Sequence, residues 1–83
     1  MIRKELLDLN FGSIVRVWYP DFTIKNKKYR KLQKNAVAVD LIVKEEYGRR
    51  VFVEVGKVHP YAFNTTATEI LLNSLHVKIL EER

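Results

Sequence analysis

Two stretches of the chain alternate apolar and polar residues, a pattern of strands rather than helices. Residues 37–43 read Val-Ala-Val-Asp-Leu-Ile-Val and residues 51–57 read Val-Phe-Val-Glu-Val-Gly-Lys. Both are rich in β-branched residues, and a polar run, Lys44 to Arg50 with Gly48 inside it, separates them as a hairpin connection. Upstream, Ser13 to Tyr19 reads as a strand that stops at Pro20-Asp21. Before it, Ile2, Leu6 and Leu9 fall at i, i+4, i+7 and predict a short amphipathic helix ended by Phe11-Gly12. Downstream, Thr66-Ala67-Thr68-Glu69 is a capping box, followed by a helical stripe of Ala67, Ile70, Leu71 and Leu75. His76 to Leu80 is a last short strand, and Glu81-Glu82-Arg83 a tail. The order is helix, three strands, helix, strand, in one small domain over residues 1–83.

The hairpin fixes which side chains meet. A three-residue loop, Glu46-Tyr47-Gly48, places Glu45 opposite Arg49 and Asp40 opposite Glu54, with Gly48 at the left-handed position of a G1 bulge. Val37, Val39, Leu41 and Val43 then share a covered face with Val51, Val53 and Val55. Asp40 and Glu54 share the other face, and like charges across a ladder call for compensation, most simply a divalent cation. A two-residue loop instead sends the two acids to opposite faces.

Charge changes the picture in one place. The chain carries +5, and six of its fifteen Lys and Arg residues lie between residues 25 and 34. Lys25, Lys27, Lys28, Arg30, Lys31 and Lys34 are interleaved there with Tyr29, and Phe22 stands just before them. So long a connection in a small domain points to function. Clustered cations with aromatic neighbours point to phosphate contact and base stacking, hence to nucleic acid as partner. A solvated surface segment is the plainer alternative. The chain has no cysteine, so disulfides and thiolate metal sites are excluded, in keeping with a cytoplasmic protein. No apolar run reaches membrane length. His59 and His76 lack metal-ligand spacing, and no Ser/His/Asp arrangement or phosphate-cradling glycine loop is present.

Val39-Asp40, a glycine-containing hairpin and Val53-Glu54-Val55-Gly56-Lys57, in this element order, resemble the core of the PD-(D/E)XK nuclease superfamily. That group includes restriction endonucleases and Holliday-junction resolvases. The resemblance implies an α/β fold: a restriction-endonuclease-like αβββαβ core with a mixed four-stranded sheet flanked by two helices. It implies Mg²⁺ or Mn²⁺ held by Asp40 and Glu54, with Glu5 of the first helix completing the site. It also implies hydrolysis of DNA phosphodiesters by a water that Lys57 assists. Val39 stands where the superfamily has proline. Gly56 stands in the usual lysine slot, so a bulge must turn Lys57 back toward Glu54, or Lys44, on Asp40's face, must serve instead. A homodimer would enlarge the small core and address two strands. Loss of the chemistry leaves a DNA-binding or protein-interaction module. A second likeness, carried by Gly12-Ser-Ile-Val-Arg-Val-Trp-Tyr-Pro20, is to the SH3-like barrel of MazF-type ribonuclease toxins. A helix after Thr66 and parallel strand pairing would both count against that barrel.

Overall fold

The computed structural model describes residues 3–30, 32–56 and 64–83. Five strands form one sheet: β1 Ile14–Pro20, β2 Ala36–Glu46, β3 Arg49–Glu54, β4 Asn64–Thr65 and β5 His76–Glu81. The spatial order is β4-β3-β2-β1-β5, and all four pairings are antiparallel. The α/β composition expected from sequence is therefore present, but the mixed four-stranded sheet is replaced by an antiparallel five-stranded one. The two-residue β4 is the extra strand. β5 reaches the far edge beside β1 and runs against it, so no parallel pair forms there.

Helical elements are short. A 3₁₀ segment, Arg3–Asp8, stands where the amphipathic helix is expected. With three residues per turn, Leu6 and Leu9 fall on one side, and both are buried, while Leu7 is left exposed. α1, Lys27–Arg30, is a single turn inside the basic connection. α2, Ala67–Asn73, begins with the predicted capping box: the Glu69 backbone N–H donates to Thr66 Oγ1, and the Thr66 N–H donates to Glu69 Oε2. Ile70 and Ala67 project from α2 into the core.

The core lies between one face of the sheet and the two helical segments. Val15 and Val17 of β1, Leu41 and Val43 of β2, Phe52 of β3 and Val77 of β5 meet Leu6, Leu9 and Ile70 there. Strand alternation explains the set, since residues two apart share a face. Arg50 ties the hairpin to the N-terminal segment by donating to the Leu7 carbonyl and lying over the Phe11 ring.

The hairpin loop corrects the expected register. It contains two residues, Tyr47 and Gly48, with φ of 51° and 75°. Positive φ at both central positions matches the right-handed twist of the flanking strands, and glycine adopts it without a Cβ penalty. This register pairs Glu46 with Arg49 and Glu45 with Arg50. Two opposite-charge rungs replace the single one a three-residue loop allows. Shifting the pairing by one residue turns the opposing strand over. Phe52, not Val51 and Val53, accordingly joins Leu41 and Val43 in the core. β3 also stops earlier than expected, at Glu54, and Gly56 turns the chain with φ of 86°.

Candidate nucleic-acid interface

The register decides the fate of the acid pair. Glu54 lies opposite Leu41, whose side chain is fully buried on the core face. Asp40 is the neighbouring residue on β2 and points the other way. The two carboxylates thus project from opposite faces of the sheet, and the residues meet only as borders of a shallow hollow of about 360 Å³ beside Arg16 and Trp18. Among the described residues, no group of three His, Cys, Asp or Glu side chains is placed to hold a metal ion. Lys57 and Lys31 lie outside the described residues, as does the side chain of Glu5. Lys44 is exposed opposite Val51, on Asp40's face, two rungs along β2.

Asp40 has a different partner. β1 places Arg16 directly opposite it. The guanidinium grips the carboxylate through both ends: Nε donates to Oδ1 at 2.7 Å and a terminal nitrogen to Oδ2 at 3.1 Å. The hydrogen bond from Arg16 holds the Asp40 carboxyl below its ordinary value and raises the guanidinium above its own. A depressed folded-state pKa means stability that is present above the unfolded value and lost as pH falls through the folded one. Asp21, through Thr23, and Glu69, through Thr65 and Thr66, are depressed in the same direction. The melting temperature is therefore expected to fall as pH drops from about 5 toward 3, and Asp40→Asn to flatten part of that fall. Melts of both proteins across this range check it; an identical acid profile would show that the pair contributes nothing.

Around that ion pair, the open face of the sheet carries an aromatic pair. Trp18 of β1 lies between Ala38 on β2 and His76 on β5. The Trp18 and His76 rings are 5.0 Å apart and tilted by 43°. One rung further, Arg16 lies opposite Lys78, which is exposed. Trp18 sits two residues before Pro20, where β1 runs into the basic connection, so the ring pair and the start of that connection share one end of the sheet.

The connection itself is ordered by its own polar groups. Asp21 accepts from the backbone N–H and hydroxyl of Thr23, and Asn26 accepts from the Lys28 N–H at the start of α1. Arg30 is used internally: it donates twice to the Ile24 carbonyl and lies 5.6 Å over the Phe22 ring. Lys25, Lys27, Lys28 and Lys34 are exposed, as is Tyr29. Four of the six expected cations therefore face solvent, and one is a structural clamp.

A cleft of about 550 Å³ opens on the other side of the same sheet end. Tyr19, Phe22, Val37 and Val39 form apolar walls, and Glu54 and Glu69 add carboxylates. Burial raises the Tyr19 phenol above its ordinary value. The Trp18–His76 pair and this cleft are absent from the sequence-based expectations. The ring pair needs the pairing of β1 with β5, and the cleft needs α2 and β3 set against the end of β1, which are contacts between residues distant in the chain. A scan of family models and searches of curated proteins and solved structures found no match for this chain.

Proposed function

We propose that this protein is a single-stranded nucleic-acid-binding module built on a small SH3-like antiparallel sheet. The observation that carries the reading is that the Trp18–His76 pair, with Lys78 one rung along, stands at the end of β1 from which the connection with its exposed lysines departs. A tilted pair of rings, Trp18 half-buried and His76 exposed, offers π-faces to unstacked bases, which duplexes keep hidden, and lysines beside it follow the backbone. Net charge of +5 favours the encounter.

Antiparallel pairing throughout and the order β4-β3-β2-β1-β5 favour the barrel-like reading over the restriction-endonuclease-like core. Of the two features that weigh against a barrel, α2 after Thr66 is present and parallel pairing is absent among the described strands. Metal-dependent hydrolysis of DNA draws on the acid pair, and the opposite orientation of Asp40 and Glu54 removes that support. The binding module is the reading that keeps the basic connection without requiring the pair.

Trp18 is the single tryptophan of the chain, so its fluorescence reports directly on this surface. Adding an unlabelled single-stranded oligonucleotide is expected to quench it saturably, while a duplex of the same length quenches weakly. Saturable binding with no change in Trp18 emission would move the interface elsewhere. Cleavage of the strand in Mg²⁺ that Asp40→Ala abolishes would restore the hydrolase reading.

A further inference from the structure

The cleft behind the basic connection pairs apolar walls with acid that no described residue neutralises, a combination a solvated groove does not need. The Glu54 side chain has no hydrogen bond or ion pair among the described residues. Glu69 spends Oε2 on Thr65 and Thr66. The charged groups lining the cleft among the described residues are these two carboxylates, in a chain that is otherwise strongly basic. The volume of about 550 Å³ lies in the range of small-ligand sites. Phe22, one of its walls, is three residues from Lys25, the first lysine of the connection.

We infer that this cleft is a base pocket selective for guanine within a bound single strand, with Glu54 reading the base edge. The inference rests on the nucleic-acid reading above and adds a specificity to it. An ionised carboxylate only accepts hydrogen bonds, through two oxygens. Guanine alone among the common bases presents two adjacent N–H donors, N1–H and an N2 hydrogen, on one edge. Adenine and cytosine each set a lone pair next to their amino group, and uracil flanks its N–H with two carbonyls. A carboxylate therefore attracts the guanine edge bidentately and meets a lone pair on each of the others. Tyr19, Phe22, Val37 and Val39 supply the apolar and aromatic contact that a base face requires. The exposed lysines of the connection that begins beyond Phe22 take the adjoining phosphates, which keeps backbone charge away from Glu54.

The test uses eight-nucleotide uridine strands that carry one central guanine, adenine or cytosine. Binding is measured for the wild type, Glu54→Gln, and the variant with Lys25, Lys27, Lys28 and Lys34 changed to alanine. The wild type is expected to prefer the guanine strand by about tenfold, the lower part of the range for a bidentate base contact. Glu54→Gln, which replaces one acceptor by a donor, is expected to erase the preference and leave the melting temperature unchanged. The lysine variant is expected to weaken all three strands alike and keep their ratio. Equal wild-type affinity for the three strands, or a guanine preference that survives Glu54→Gln, overturns the pocket while leaving the nucleic-acid reading intact. Failure to bind any strand removes both.

Discussion

Phe52→Ala is expected to cost about 3–5 kcal/mol, the range for deleting a buried aromatic ring. Phe52 is fully buried, sits opposite Val43 on β2 and Thr65 on β4, and is among the largest side chains of the core. A domain of this size has little stability in reserve, so the variant is expected to melt at least about 12 °C lower or to fail to fold at ambient temperature. The neighbouring change, Val53→Ala, removes a side chain from the opposite, half-covered face and is expected to cost under about 1.5 kcal/mol. Chemical denaturation of the two variants reads the hairpin register directly. A three-residue loop predicts the reverse ranking, with Val53 in the core and Phe52 outside it.

Replacing Lys25, Lys27, Lys28 and Lys34 together by alanine is expected to weaken single-strand binding on the order of 10²–10³-fold at about 0.1 M salt. All four side chains are exposed, so the variant is expected to fold normally. Each lost phosphate contact also removes released counterions. The slope of log K against log salt is therefore expected to fall by roughly 3 if all four lysines touch phosphate. Fluorescence titrations at several salt concentrations give both quantities. An unchanged slope would mean that the lysines are solvated bystanders. Arg30→Ala is a separate case: it breaks the clamp on Ile24 and Phe22, so its effect arises through the order of the connection rather than through a phosphate.

Local patterns in the chain announced the strands well, because alternation and β-branching act over a few residues. The Thr66 cap and the Glu69 return bond were also legible, since a capping box is defined by a spacing of three. Register was not. Tyr47-Gly48 and Glu46-Tyr47-Gly48 are both plausible hairpin loops, and the choice rests on two opposing charge rungs and a backbone twist rather than on any one residue. That single residue of slip decides whether Glu54 reaches Asp40's face, while Arg16 meets Asp40 through the separate pairing of β1 with β2. Nothing local in the chain marks Arg16: its role appears only when β1 is laid against β2. The same holds for Trp18, whose partner His76 comes from the far end of the chain. The basic connection was visible as composition, but composition does not tell the exposed lysines from Arg30, which a carbonyl and a ring hold inward.

The most direct measurement is a map of backbone amide chemical shifts as a single-stranded oligonucleotide is titrated into the labelled protein. The account predicts that the largest changes fall on Phe22 to Lys28, Lys34, Trp18, His76 and Lys78, with the β2–β3 turn at Tyr47-Gly48 left unmoved. Changes centred on that turn, or no changes at saturating oligonucleotide, would contradict it.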